Sequence, residues 1–332
     1  MNWSELRGNS YWSDSHRILF NRDCRNMSDI QDESIQMVVT SPPYWGLRKY
    51  AGLPDLIWGG DGKCQHQWQT DNANTRMHRK YSAGERTTSK DSSWAIYDGK
   101  FDEASKGNIC SLCGAWKGSL GLEPTPEMYI EHTVLLLREI RRVLRKDGVV
   151  FWNIGDSYNS GSVGRVDKHK YGGKSRIHDL RSGVTNHPFL KPKDLCLIPF
   201  RVAIAAQENG WWVRSVIIWN KPNPMPESVT DRPTESHEYI LMLTKSARYY
   251  WDAEAVRELN QDTYNGHRGA TVQRHKTQSA MRDNSTSKEQ MLEYATQGRN
   301  LRSVWTFPTQ GYPEAHFATY PEKLVEICVK AA

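Results

Sequence analysis

The sequence predicts an α/β fold: a largely parallel, Rossmann-like sheet with helices on both faces, plus a small metal-stapled insertion. Three observations carry this prediction. Short apolar runs end in turn residues, amphipathic helical stretches separate them, and two close Cys/His pairs sit in a polar segment with no obvious core of its own.

In chain order, the first framework element is Ser34 to Thr40. Its apolar residues Ile35, Met37, Val38 and Val39 stop at Pro42-Pro43, which predicts a buried strand with a functional loop at its carboxyl end. Thr125-Pro126 then opens a helix, with Thr as cap and Pro at the first helical position. Ile130, Val134, Leu137, Ile140 and Leu144 recur at helical spacing, and Glu131, Arg138, Arg141, Arg142 and Arg145 read as its solvated face. Asp147-Gly148 is predicted to end that helix, and Val149 to Ile154 to form the next strand. The three together make a crossover unit with a parallel sheet.

A second such unit follows, with a helix from Pro199 to Asn209 stopped by Gly210 and a strand from Trp211 to Trp219. Glu238 to Thr244 and Tyr249 to Asp252, joined by Lys245 to Arg248, are expected to form a hairpin. Pro321 to Lys330 reads as an amphipathic helix with Leu324, Val325 and Cys328 inward, and Thr319 as its cap.

The core is therefore assigned to residues 15–45, 123–252 and 301–332. Residues 46–122 form an insertion rich in Gly, Trp and charge. Residues 157–190 read as a mobile loop, and residues 253–300 as a strongly polar variable segment carrying Arg268, Arg274, His275, Lys276 and Arg282. A net charge of +6 on 332 residues suits a partner with phosphates without demanding one. No apolar run reaches the ~20 residues of a membrane span, and the start lacks a signal pattern, so no membrane association and a cytoplasmic location are expected. Most of the 13 Trp are expected in cores, with one or two available to stack on an unpaired base.

In that compartment the six Cys read as thiols or metal ligands. Cys64-x-His66 and Cys110-x-x-Cys113 have the two-pair spacing of a structural zinc site, and Gly114 suits the turn around the metal. Two unrelated pairs is the plainer alternative. Cys24, Cys196 and Cys328 sit among apolar neighbours and are expected in the core.

Ser41-Pro42-Pro43-Tyr44 carries the chemistry. It combines a hydroxyl, a backbone carbonyl whose direction the next Pro restricts, a rigid turn and an aromatic platform. Those parts suit the grip of an exocyclic base amine, whose lone pair must be turned out of ring conjugation before it can attack a methyl group. Taken alone, the four residues read equally well as a rigid turn.

The wider context resembles a known family. Phe20-Asn21-Arg22-Asp23-Cys24 and Val38 through Arg48, around the motif, resemble the start of site-specific DNA methyltransferases of the N4-cytosine/N6-adenine type with permuted, beta-class motif order. The resemblance continues through Cys113-Gly114-Ala115-Trp116, Leu122 to Glu127, Asn153 to Tyr158, Trp219 to Pro224 and His316 to Pro321. It implies S-adenosylmethionine as methyl donor and duplex DNA with a flipped target base as substrate. It also implies a restriction endonuclease as a possible companion.

Within that likeness, Ser41, Pro42, Pro43 and Tyr44 match the catalytic motif, and Ser at its first position favours cytosine N4 over adenine N6. Asp23, Thr40, His316, Phe317, Ala318, Thr319 and Pro321 match the cofactor side, though Asp23 reads equally as a turn cap. Lys221 and Asn223 stand as DNA or base-pocket contacts, or as parts of a structural turn. Arg268, Arg274 and Lys276 are candidate DNA contacts in a target-recognition region, 253–300. The family's glycine-rich cofactor loop is expected just where the chain reaches Lys330-Ala331-Ala332. The resemblance thus implies a fragment lacking the cofactor-half strands, or one half of a split enzyme completed by a second chain. A non-catalytic DNA-binding relic is the remaining alternative.

Overall fold

The computed structural model describes residues 3–8, 10–46, 55–68, 108–159, 187, 189–258, 298–311 and 319–332. Its centre is a five-stranded mixed sheet. The strands are β3 (Ile35–Thr40), β6 (Leu144–Ile154), β8 (His237–Thr244), β7 (Trp212–Asn220) and β9 (Val304–Thr306), in that spatial order. Two small hairpins flank it, β1 (Trp12–Ser13) with β2 (Ile18–Leu19), and β4 (Leu56–Trp58) with β5 (Trp116–Gly118). The helices are α1 (Trp3–Gly8), α2 (Pro126–Val143), α3 (Ile198–Glu208) and α4 (Glu322–Ala331).

The first crossover unit forms as the sequence predicts. β3 runs parallel to β6, with Thr40 opposite Trp152. Thr125 caps α2 by accepting the Met128 N–H at 3.2 Å, with Pro126 at the helix start. Such a cap contributes about 1 kcal/mol. α2 stops earlier than the Asp147-Gly148 signal suggests, at Val143, because Leu144 is already extended at φ −70 and ψ 137. The next residues bulge out of β6, where the register jumps from Ile35–Leu144 to Met37–Val149. Gly148 marks a close approach rather than a helix end. A Cβ there would lie 2.6 Å from Leu144 Cγ and 2.8 Å from the Gln36 carbonyl.

The second unit departs from expectation. β7 does not lie beside β6, because β8 inserts between them, antiparallel to both. The hairpin partner of β8 is thus β7, and Tyr249 to Asp252 form no strand. That segment instead donates backbone hydrogen bonds from Tyr250 to the Asp147 carbonyl and from Asp252 to the Ala331 carbonyl. α4 begins at Glu322, with Pro321 and not Thr319 at the cap position. Gln310 accepts the Glu322 N–H from across the chain at 3.2 Å.

Alternation along β6 and β8 sends side chains to two cores. Val150, Trp152, Ile154, Leu241 and Leu243 pack with Leu137, Ile140, Val202 and Ala206 of α2 and α3. Val149, Phe151, Ile240 and Met242 pack with Trp219, Trp305, Leu324 and Cys328 on the α4 side. The sheet is therefore covered on both faces, as the sequence predicts. Cys196 and Cys328 are buried, but Cys24 is exposed, because residues 20–34 run as turns rather than continuing β2 into the sheet. No helix among the described residues is long and apolar enough to cross a membrane.

Candidate active site

The carboxyl ends of β3, β6 and β7 and the start of β8 meet at one edge of the sheet. That edge is where open α/β sheets bind their ligands. Ser41 to Tyr44 turn off the end of β3, and the loop is held from several sides. Tyr129 of α2 donates its hydroxyl to the Pro43 carbonyl at 3.0 Å. Behind the loop, buried Trp45 donates its indole N–H to the Glu123 carbonyl at 2.9 Å, and Gly46 N–H donates to the Gly121 carbonyl at 2.8 Å. Gly121 needs its missing side chain twice over. Its φ is +91, and a Cβ would come within 2.9 Å of the Tyr44 carbonyl. Among the described residues, nothing donates to the Pro42 carbonyl.

Tyr44 is the hub of a polar network. Its hydroxyl lies 2.6 Å from Glu238 Oε2, 3.0 Å from Asn153 Oδ1 and 3.3 Å from the Ser41 hydroxyl. Asn153 donates from Nδ2 to Glu238 Oε2 and to the Tyr239 carbonyl, each at 3.1 Å, which fixes the orientation of its amide. Asn153 and Glu238 share a sheet face, because Asn153 is opposite Ile240 and Glu238 lies two residues further along β8. Lys221, just past β7, closes the network as the ion-pair partner of Glu238 Oε1. Its ammonium also stands 4.7 Å from the centre of the Trp219 ring. Burial and the Glu238 carboxylate hold the Tyr44 phenol well above the ordinary range, so it keeps its proton. Gly155 lets the ring sit close, since a Cβ there would be 2.9 Å from two of its carbons.

The sequence-predicted residues divide as follows. Ser41, Pro42, Pro43 and Tyr44 come together as one loop. Lys221 joins them through Glu238, and its side chain is only 17% exposed. Asn223 exchanges hydrogen bonds at 3.1 Å with Thr309 through both ends of its amide, which is the geometry of a structural turn. Asp23 caps a turn, accepting the Arg25 N–H at 2.9 Å and gripping the Arg25 guanidinium at 2.6–3.1 Å. Thr40 ends β3, Thr319 is exposed, and Pro321 is buried at the head of α4. His316, Phe317, Ala318, Arg268, Arg274 and Lys276 lie outside the described residues, as does most of the segment 157–190. The fit of S-adenosylmethionine is thus partial. Thr40 and Thr319 offer hydroxyls, but the Asp23 carboxylate is already engaged by Arg25.

Sequence reasoning missed Glu238 and Asn153 as site residues. The one available signal was an acidic residue heading an apolar strand, which ordinarily means a solvated strand end.

Cys64, His66, Cys110 and Cys113 also come together, with their ligand atoms all within 4.8 Å of one another. Cys64 and Cys110 sulfurs lie 3.9 Å apart, and Cys113 sulfur lies 3.3 Å from His66 Nδ1. A tetrahedral zinc with ~2.3 Å bonds to sulfur needs sulfurs ~3.8 Å apart, so the donor set has the right spacing. The cluster sits on the β4–β5 hairpin, whose Trp58 and Trp116 rings stack on buried His132 of α2 at 4.6 and 5.6 Å. His132 contacts Glu123 at 2.9 Å, and Glu123 accepts the Gly121 N–H at 2.7 Å. The Cys/His cluster is thereby linked to the back of the Ser41–Tyr44 loop.

Residues 35–332 match a family model described as DNA methylase. The chain is 33% identical over 300 residues to the type II methyltransferase M.Cfr9I of Citrobacter freundii, covering 90% of this chain and 66% of that protein. It is 32% identical over 302 residues to the type II methyltransferase M.SmaI of Serratia marcescens, covering 91% and 70%. Its fold is similar to that of the PvuII DNA methyltransferase, a cytosine-N4-specific enzyme, with a TM-score of 0.50 at 12% identity over 97% of this chain and 72% of that one. The chain spans about two thirds of the length of these type II relatives. A Ser-Pro-Pro-Tyr loop at the ligand edge of a covered sheet and a family match over most of the chain agree, and the chain belongs to the DNA methylase family.

Proposed function

We propose that this chain carries the base-binding centre of an S-adenosylmethionine-dependent, site-specific DNA methyltransferase that acts on the N4 amine of cytosine. The observation that carries the proposal is the Ser41–Tyr44 loop, with its Pro43 carbonyl tied to Tyr129 and its Pro42 carbonyl without a donor among the described residues. Two acceptors, Ser41 Oγ and the Pro42 carbonyl, would take the two N–H groups of an amine. Holding both rotates the nitrogen lone pair out of conjugation with the ring. The cofactor, when bound, supplies an electrophilic methyl group on a sulfonium. Catalysis then comes from positioning and fixed dipoles, and the methylated nitrogen, cationic once the carbon–sulfur bond pair has stayed with sulfur, gives up one N–H proton to solvent. Ser41 favours cytosine N4 on the family pattern, and adenine N6 is the alternative.

The substrate in this reading is duplex DNA with the target base flipped out, since a base inside the stack cannot reach a loop at the sheet edge. Arg268, Arg274 and Lys276 are proposed as DNA contacts, a restriction endonuclease as companion, and the cytoplasm as location. Cys64, His66, Cys110 and Cys113 are proposed to hold a structural zinc. One experiment tests the activity: incubate the chain with S-adenosylmethionine and unmethylated bacterial DNA, and measure both cofactor binding and methylated nucleosides. Binding with transfer supports the proposal. DNA binding without cofactor binding supports the relic reading, and transfer only after a second chain is added supports a split enzyme.

A further inference from the structure

We propose that Glu238 is a positioning residue that acts through Tyr44 to hold Ser41 as a hydrogen-bond acceptor, so that the site takes an amino edge and rejects a carbonyl edge. The inference rests on the proposed function and adds to it the way the amine is told from an oxygen.

A phenol has one proton to donate. Tyr44 has two acceptors in reach, Glu238 Oε2 at 2.6 Å and Asn153 Oδ1 at 3.0 Å. The charged, nearer oxygen takes it, because hydrogen bonds to an ionised acceptor are shorter and roughly twice as strong. With that proton committed, the Tyr44 oxygen can only accept from Ser41, 3.3 Å away. Ser41 has one hydroxyl proton, now directed at Tyr44, so only its lone pairs face outward. An amine N–H meets an acceptor there. A carbonyl at the same place, as on thymine where cytosine has its amine, meets lone pairs and is repelled.

The surroundings maintain this direction. Lys221 pairs with Glu238 Oε1 and aims the carboxylate, and the Asn153 amide holds Oε2 from the side at 3.1 Å. Asn153 cannot replace Glu238, because its own oxygen is neutral and more distant from the phenol. In Glu238→Gln the amide oxygen turns to Lys221 and its NH2 to Tyr44. The phenol proton is then left with the neutral Asn153 oxygen at 3.0 Å, and the hold on the Ser41 hydroxyl direction weakens.

The test combines spectroscopy with kinetics. The chain is labelled with 13C at the tyrosine ζ carbon, and the Tyr44 signal is assigned by its loss in Tyr44→Phe. Glu238→Gln should move that signal, and Glu238→Asp should move it less. In methyl-transfer assays Glu238→Gln should lower kcat by about 10- to 100-fold with KM for DNA within about twofold. The decisive comparison is made in a Ser41→Ala background, where Glu238→Gln should cost almost nothing further, because it acts through Ser41. Losses that simply multiply, or an unmoved Tyr44 signal, overturn the proposal. If Glu238→Gln fails to fold, Tyr44→Phe cuts the same chain and faces the same comparison. A wild-type chain that transfers no methyl group, alone or with a second chain added, defeats the proposed function, while the Tyr44 signal still decides the hydrogen-bond direction.

Discussion

Gly155→Ala places a methyl group against the Tyr44 ring, and the consequence follows from distances. The added Cβ would lie 2.9 Å from both Cδ2 and Cε2 of Tyr44, where ordinary contact begins at 3.4 Å. The ring must therefore withdraw by about 0.5 Å, an overpacking of the kind that costs ~1–3 kcal/mol. The Ser41 contact stands at 3.3 Å, near the outer limit of a hydrogen bond, and the same movement breaks it. The Glu238 contact at 2.6 Å lengthens but survives. We expect a loss of roughly 1–2 kcal/mol in urea unfolding and a fall in methyl transfer of about 10- to 100-fold, the scale of a 1 Å misplacement. Adding Tyr44→Phe should leave activity low yet restore part of the stability, because a ring freed of its hydroxyl anchors can retreat. Unchanged melting together with unchanged transfer would refute the packing of Tyr44 on Gly155, and with it the account of how the loop is held.

Three further predictions concern the surroundings. The purified chain should contain one zinc by elemental analysis, and Cys113→Ser should lose it and lower the melting temperature; metal-free protein that melts at the same temperature would dismiss the site. The same substitution should raise hydrogen exchange at Gly121 and Gly46, because the stack of Trp58 and Trp116 on His132 links the cluster to that loop. Asp156 is half-buried beside the site, its Oδ2 is buried and unpartnered, and desolvation pushes its carboxyl up to about 6, partly offset by hydrogen bonds from the Ile198 and Ser157 amides. Its folded value stands above the unfolded one of 3.8, so ionisation weakens the fold above pH 6 and that penalty fades as pH falls toward 4. Asp156→Asn should thus stabilise by on the order of 1–2 kcal/mol at pH 8 and not at pH 4, by urea unfolding at both; a gain independent of pH would contradict the burial of that charge.

Much of this was legible in the residues, for identifiable reasons. Local signals carried β3, the start of α2 and α4: an apolar run stopped by prolines, a Thr-Pro cap, an amphipathic repeat. The Cys64, His66, Cys110 and Cys113 cluster was legible because close Cys/His pairs carry their geometry in their spacing. The place of β8 was not. Residues 239–243 are apolar throughout, which marks burial but names no neighbour, and only the folded sheet shows β8 between β6 and β7. Glu238 stayed hidden for the same reason, since it meets Tyr44 from 194 residues away through strand register alone. The end of α2 was misread because a glycine serving a close contact looks identical in sequence to one serving a helix terminus.

The central claim is that Ser41 presents a base amine for methylation, with cytosine as the base. The direct measurement is mass spectrometry of nucleosides from cells that express the complete reading frame encoding this chain, beside cells expressing its Ser41→Ala variant. The account predicts N4-methylcytosine in the first and its loss in the second. N6-methyladenine in its place would contradict the base assignment, and N4-methylcytosine that persists without the Ser41 hydroxyl would contradict the mechanism.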